Sequence, residues 1–449
     1  MLLQHAETTT GDTSAVHSDV PAYAWGVCAL TVGLLLSDYV SRQVLNAVFP
    51  FIKTAWNLSD TKLGSLSSVV ALMVGVLTFP LSVLADRWGR VKSIALMSAL
   101  WSLATLGCAI STNYGEMLLA RAFVGVGEAA YGSVGIALVL SIFPPRLRAT
   151  LTATFMAGGA FGSVLGMAAG GALATQLGWR WSFGAIAGFG LLFVLIYRCM
   201  VTEERLRALQ PLQPGSAAQH HSLGVRTSFR ALLKGLFSTK SVVCAYVGSG
   251  LHLVVPAAVW VWTPSFLNRY YGMAPGRAAV AASAFVLVTG LGMVLCGNLA
   301  DRLNGAVVQR KWMIAIAYCV LCCVLLGIAF RLPAGPLQLV LIGSGMFFCA
   351  GATGPSGAMV ANLTPPSIHA SAFATLTLAN NLLGLAPAAV LTGVIADRIG
   401  LLGALQWVPL APLLAAIAFA IGRRSDLRDL ERVNALREQA ARQAMARFA

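Results

Sequence analysis

Residues 22–422 of this chain predict an all-α integral membrane protein, with twelve transmembrane helices in two bundles of six. Two observations carry that expectation. Of 449 residues, 57% are hydrophobic and only 10% charged, with a mean hydropathy of +0.77, whereas a soluble protein of this size carries about a quarter charged residues. The apolar residues also fall in continuous runs of about 20, enough to cross a bilayer as a helix, rather than in the short alternating segments of a membrane barrel.

Taken in order, residues 1–21 are polar and contain no Lys or Arg. They lack the basic start of a signal peptide and read as a disordered cytoplasmic tail. The spans expected next are 22–50, 63–85, 93–110, 117–143, 149–175 and 181–200, forming an N-terminal bundle over 22–200. Residues 201–240 form a basic, polar linker with Pro211, Pro214, Gly215 and the pair His220–His221, and a surface helix is expected near 229–237. A C-terminal bundle over 241–422 follows, with spans 241–267, 278–300, 312–330, 337–363, 370–396 and 403–422. The tail 423–449 is Arg-rich, with Leu427, Leu430, Val433 and Leu436 on one side. It reads either as an amphipathic helix on an anionic leaflet or as a solvated helix.

The charge balance orients the chain. The net charge is +15, but the basic residues lie in loops between spans, with no soluble domain to hold nucleic acid. Loops on the side of the termini hold roughly three times the Lys and Arg of the other side, which places both termini in the cytoplasm. A bacterial-type inner membrane is the expected location, with the lipid bilayer, a small-molecule substrate and protons as partners and a monomer as the working unit.

The chain is organised around residues 121–131, Arg-Ala-Phe-Val-Gly-Val-Gly-Glu-Ala-Ala-Tyr. Arg121 and Glu128 are two helical turns apart and therefore share a face. A charge at the bilayer centre costs about 2.5–3.5 kcal/mol on insertion scales, so it faces a partner or a cavity. Of the 16 Asp and Glu, only Asp38 and Glu128 fall deep within spans, and both are candidate proton carriers. Asp38 and Arg42 lie one turn apart on the first span. With Arg121 and Glu128 they make two acids and two bases, which can be a permanent structural quartet or a site that opens to a proton or an anion. Arg42 and Arg121 are the candidate anion-binding residues, with Tyr39 and Tyr131 beside them. The second half offers His252, Asn298, Asn380 and Asn381 as comparable polar side chains, and of these His252, Asn380 and Asn381 are the cavity candidates.

The loop after the second span reads Ser82-Val-Leu-Ala-Asp86-Arg87-Trp-Gly89-Arg90-Val-Lys92. It resembles the cytoplasmic signature of the major facilitator superfamily, Gly-x-Leu-Ala-Asp-Arg-x-Gly-Arg-Arg/Lys, with Ser in place of the first Gly. The resemblance implies a latch between the two halves in which the Asp faces a helix N-terminus of the opposite bundle, a sensible use of the helix dipole. Asp86, Arg87, Gly89 and Arg90, with Asp301 and Arg302 of the second copy Gly297-Asn-Leu-Ala-Asp301-Arg302, are the expected cytoplasmic gate. The copies are 215 residues apart, and Asn57/Gly272 and Lys62/Arg277 keep that offset. Gly162/Gly384, Gly171/Gly393 and Gly178/Gly400 align at an offset of 222. Two duplicated six-helix halves account for both.

Arg121-x-x-x-Gly125-x-Gly127-Glu128-Ala129 and Gly178-Trp179-Arg180-Trp181-x-Phe183 further resemble the spinster-like members of that superfamily. Their first helix reads Asn-Tyr-x-Asp-Arg. Here it is Asp38-Tyr39-Val40-Ser41-Arg42, with the acid one turn earlier. Gly158, Gly162, Gly166 and Gly170 form a small-residue stripe that reads as helix packing. It also resembles, without its Pro, the antiporter signature of exporters. Cys319-x-x-Cys322-Cys323 sits mid-span with no His nearby and reads as core. Trp260, Trp262, Tyr270 and Tyr271 read mainly as interface-belt residues.

These features predict a secondary transporter working by alternating access, proton-coupled and carrying a small organic anion or amphiphilic acid. No nucleotide-binding loop is present. No catalytic constellation, metal site or cofactor is expected. Export of a lipid-like amphiphile is the alternative within transport, and a non-transporting membrane sensor is the alternative outside it.

Overall fold

The computed structural model describes residues 21–209, 235–304, 309–365 and 368–448. The expectations for residues 1–20, for linker positions 210–234, for the Asp86 side chain and for side chains beyond Val433 lie outside the described residues. Within them the chain is helical throughout: α1 (Ala22–Trp56), α2 (Asp60–Trp88), α3 (Arg90–Ile110), α4 (Tyr114–Glu128), α5 (Tyr131–Ile142), α6 (Arg148–Leu177), α7 (Trp179–Met200) and the short α8 (Glu203–Leu209) make the first half. The second half holds α9 (Lys240–His252), α10 (Val254–Tyr270), α11 (Pro275–Asn304), α12 (Arg310–Ala329), α13 (Pro336–Cys349), α14 (Thr353–Leu363), α15 (His369–Ala379), a π-helical turn at Asn380–Leu385, α16 (Ala386–Trp407) and α17 (Leu410–Phe448).

Eleven stretches among the described residues are long and apolar enough to cross a membrane. The twelfth, over 401–422, is interrupted at Val408–Pro409, where the proline ring cannot continue the helix of α16. Three other spans are built from two helices each: α4 with α5, α9 with α10, and α13 with α14. Pro256 lacks the N–H that would meet the carbonyl of His252, and Pro355 does the same to Gly351, so the breaks fall where the chain loses a hydrogen bond. The turn at Asn380–Leu385 likewise precedes Pro387.

The duplication is visible in the backbone. Asn57 (φ 48°) and its mate Gly272 (φ 62°) are both left-handed. Gly178 (φ 91°, ψ 154°) and its mate Gly400 (φ 81°, ψ 160°) share one conformation, each turning the chain between two spans. Four of the five positive-φ positions among the described residues are thus two repeat pairs.

The glycine stripe of α6 packs along α1. A Cβ at Gly158, Gly162, Gly166 or Gly170 would run into Val32, Leu36, Val40 or Val44 respectively, one turn of α1 per glycine. The stripe therefore brings two backbones together and directs positions 38 and 42 of α1 elsewhere.

The apolar core has three large parts. One joins both halves at the end remote from the termini, with Val44, Phe49, Leu63 and Leu66 against Trp262, Phe266, Ala279 and Ala389. Nearer the termini the halves keep separate cores, one around Trp101, Tyr131 and Phe155 and another around Tyr246, Trp312 and Phe419. The bundles are joined at the remote end and parted at the terminal end. Trp262 is at that junction, fully buried, donating to the Ala389 carbonyl at 3.2 Å. The belt expectation for it is corrected, because span seven leans inward there against the other half. The tail continues the last span without a break, α17 running from Leu410 to Phe448.

Candidate functional site

The site lies where α1 meets the break between α4 and α5. Gly125 and Gly127 let α4 sit closely between its neighbours: a Cβ on Gly125 would come within 2.8 Å of the Val70 carbonyl oxygen, and one on Gly127 within 2.7 Å of the Trp101 amide nitrogen. Glu128 ends α4, and the Ala129 carbonyl freed by the break lies 2.8 Å from Thr78 Oγ1 of α2, whose single proton is shared between it and the Val74 carbonyl at 2.5 Å. Thr78 was not singled out from the sequence, since a lone Thr in an apolar span carries no pattern.

Glu128 is buried and pairs with Arg42, whose Nε donates to Glu128 Oε2 at 2.5 Å. The sequence pointed instead to Arg121 as the partner of Glu128, and this is corrected. Arg121 lies two turns nearer the remote end, 2% exposed, and points its Nε and Nη1 at the carbonyls of Leu66 (3.4 Å) and Ser41 (3.3 Å). It supports the backbones of α1 and α2 and has no opening to the space between the halves.

Arg42 is placed differently. Its side chain is one-quarter exposed, its guanidinium lies 5.9 Å from the Tyr39 ring, and its only hydrogen bond among the described residues uses Nε. Both terminal nitrogens remain available. Asp38, one turn earlier, is buried and feels Glu128, Arg42 and Arg121 electrostatically. One oxygen of each acid, Asp38 Oδ1 and Glu128 Oε1, is buried without a hydrogen-bond donor. Two carboxyl groups thus lie near one guanidinium, which pairs with Glu128.

Tyr131 does not join them. It is fully buried inside the first half, donates to the Thr31 carbonyl at 2.6 Å and stands edge-on to Trp101. Its expected role in substrate binding is corrected, since the chain turns inward after the break.

In the second half, His252 ends α9 and its Nε2 lies 3.2 Å from Thr353 Oγ1, the first residue of α14. The breaks in spans seven and ten therefore meet. His252 Nδ1 is buried without a partner. Asn380 Oδ1 accepts from Ser249 at 2.7 Å, and Asn381 donates to the Thr377 carbonyl at 2.9 Å while its Cβ abuts Gly75 of α2. By the repeat offset of 215, His252 corresponds to Ser37, beside Asp38, so the two polar clusters sit at matching places in their halves. Paired interruptions of this kind mark the midplane site of repeat-built membrane proteins.

At the terminal end, Arg87, Asp301 and Arg302 are exposed, and Gly89 takes φ 95°. Arg90 reaches the Ala137 carbonyl of its own half at 3.4 Å. Cys319 and Cys322 lie buried among apolar neighbours, as read from the sequence.

With that geometry in hand, residues 31–387 match the Major Facilitator Superfamily. The chain belongs to that superfamily. Within it, the chain is 30% identical over 257 residues to protein spinster homolog 1 of Homo sapiens, covering 54% of this chain and 46% of that protein. It is 25% identical over 399 residues to the sphingosine-1-phosphate transporter SPNS2 of Danio rerio, covering 84% and 77%. The chain thus spans about half the length of the first curated relatives it matches. Among solved structures, a bacterial homologue of the human lysosomal transporter spinster, inward-facing and unoccupied, superposes with a TM-score of 0.76 at 18% identity over 91% of this chain and 98% of that one. A D-xylose-proton symporter superposes at 0.67, also at 18% identity, over 89% and 97%. These likenesses give this superfamily protein the multi-pass, twelve-helix fold and a spinster-like character.

Proposed function

We propose that this protein is a proton-coupled secondary transporter of an anionic, amphiphilic small molecule, working by alternating access in a bacterial inner membrane. The observation that carries the reading is Arg42. A partly exposed guanidinium at the junction of two parted bundles, with both terminal nitrogens free, is a fork for a carboxylate or phosphate. The similarity to a protein named for sphingosine-1-phosphate transport agrees with an anionic headgroup and keeps export of a lipid-like amphiphile as the second reading.

Proton coupling rests on the two acids. Buried like charges in contact are costly, and one proton held between Asp38 and Glu128 would give a donor to the two oxygens that lack one. When an anion takes the Arg42 fork, it competes with Glu128 for the same guanidinium. The carboxylate then loses its countercharge and gains affinity for a proton. Binding and protonation are linked through a single side chain. With the termini in the cytoplasm, the conformation described is inward-open, and Asp86, Arg87, Gly89, Arg90, Asp301 and Arg302 form the gate that closes in the opposite state.

The test is transport in proteoliposomes with labelled long-chain carboxylates and lysophosphate amphiphiles. Glu128→Gln should keep equilibrium exchange and lose accumulation driven by a pH gradient. Accumulation by the Gln variant at the parental level would remove Glu128 as the carrier and leave Asp38. Absence of any flux of either amphiphile class in the parent protein would sink the substrate reading.

A further inference from the structure

The joined end of the molecule carries a polar cluster that the gate sequence does not include. Asp60 opens α2 and is 3% exposed. It receives a two-pronged bond from Arg269 of the second half, Nη1 to Oδ2 at 2.7 Å and Nη2 to Oδ1 at 2.6 Å, and is also paired with Lys53. Asp397, near the end of span eleven, reaches across the other way. Its carboxylate accepts from the backbone amides of Asp60 (2.7 Å) and Thr61 (2.9 Å) and from the Thr61 hydroxyl (2.6 Å). Ser59 accepts from the Lys62 amide. The first three amides of α2, which have no partner within their own helix, are all satisfied, two of them by a residue of the opposite bundle.

The sequence around Asp397 explains why it sits there. Ala396-Asp397-Arg398-Ile399-Gly400 repeats the pattern Ala85-Asp86-Arg87-Trp88-Gly89, and the closing glycine takes positive φ in both, 81° at Gly400 and 95° at Gly89. The two copies end spans two and eleven, which pack together and run in opposite directions, so the copies lie at opposite ends of the same helix pair. Gly64 and Gly393 let these helices touch: a Cβ on Gly64 would meet the Ala389 carbonyl and one on Gly393 the Asp60 carbonyl. At the pseudo-symmetric junction of α6 with α11, Thr175 occupies the place of Asp397 and abuts Gly276, the mate of Thr61. Among the described residues it bonds only its own helix, at the Gly171 carbonyl. The charge is therefore confined to one of the two equivalent contacts.

We infer that Asp397, together with the Asp60–Arg269 pair, is a second latch that locks the end remote from the termini, as the reciprocal of the Asp86 loop. Spans two and eleven each supply an acid at one end and, at the other, a helix N-terminus that receives the partner's acid. Rocking the bundles breaks one such contact as it makes the other. The closed latch at the remote end accompanies the parted terminal end seen here.

The experiment reads opening at the remote end without any substrate. Ser68 lies in this interface, accepting from the Val390 amide at 3.1 Å, and Ser68→Cys changes one atom. In full-length protein whose nine native cysteines are replaced, reconstituted and labelled from the remote face with a membrane-impermeant maleimide, Asp397→Asn should speed labelling of that cysteine about two- to fivefold, the factor for one helix-end charge. Asp86→Asn should slow it. Thr61→Val, which removes a hydroxyl and leaves the helix in place, tests the same contact should Asp397→Asn fail to fold, and should also speed labelling. Labelling unchanged or slowed in Asp397→Asn or Thr61→Val overturns the inference, as does the same direction of change in Asp86→Asn and Asp397→Asn, which would signal general loosening.

Discussion

Removing the Arg42 guanidinium is the sharpest perturbation of the site. Breaking a buried ion pair by deleting one partner costs about 3–5 kcal/mol, because the other charge is left uncompensated. Arg42→Ala abandons two acids, Asp38 and Glu128, each already carrying a buried oxygen without a donor. Arg42 is one-quarter exposed, so some water reaches the vacated space, and the lower end of the range, about 3 kcal/mol, is expected. Glu128→Gln should cost less, about 1.5 kcal/mol, since the amide oxygen still accepts from Nε and Asp38 lies one turn away to balance the guanidinium. Adding Asp38→Asn and Glu128→Gln to Arg42→Ala should recover about 2 kcal/mol or more, as the stranded charges disappear. Denaturant unfolding of the detergent-solubilised protein measures the series, and titration with a long-chain carboxylate measures binding in parallel. Arg42→Lys should bind only part-way, a point charge having replaced a fork. If Arg42→Ala costs less than Glu128→Gln, or the triple variant is no more stable than Arg42→Ala alone, the single-guanidinium account is wrong.

Other positions separate structural from functional roles. Tyr131→Phe should lose about 1 kcal/mol of stability with its bond to Thr31 and leave substrate affinity untouched, whereas a shift in affinity would return Tyr131 to the binding site. Gly166→Ala should cost about 1–3 kcal/mol by forcing α6 from the Val40 backbone, read as a lower unfolding midpoint and reduced transport. Gly178→Ala meets nothing within 4 Å, so its cost should be only that of an alanine at φ 91° and ψ 154°, about 1–3 kcal/mol, and Gly400→Ala should match it if the halves are mechanically equivalent. Thr78→Val should strand the Ala129 carbonyl at the α4–α5 break and lower stability by about 1–3 kcal/mol, measured by the same unfolding assay.

Composition and run length determined the helical membrane class, because a lipid environment forces every span to satisfy its own backbone. The two offsets, 215 and 222, determined the duplication, and the left-handed pairs Asn57/Gly272 and Gly178/Gly400 are its backbone trace. Charge rarity in apolar spans singled out Asp38, Arg42, Arg121 and Glu128, since an intramembrane charge is expensive wherever it lies. Which of them meet was decided only by the tertiary structure. Helical spacing put Arg121 and Glu128 on one face, but it says nothing about how far the neighbouring helix reaches. The glycine stripe of α6 and the break after Glu128 set α1 so that Arg42, 86 residues away in the chain, arrives first. Tyr131 and Trp262 likewise turned inward on the strength of a break and a bundle contact that no periodicity records. The latch at Asp397 was written in the chain as a third Ala-Asp-Arg, yet its meaning depended on span two running antiparallel beside span eleven. Local pattern fixes what a residue can do, and packing across 336 positions, as between Asp397 and Thr61, fixes what it does.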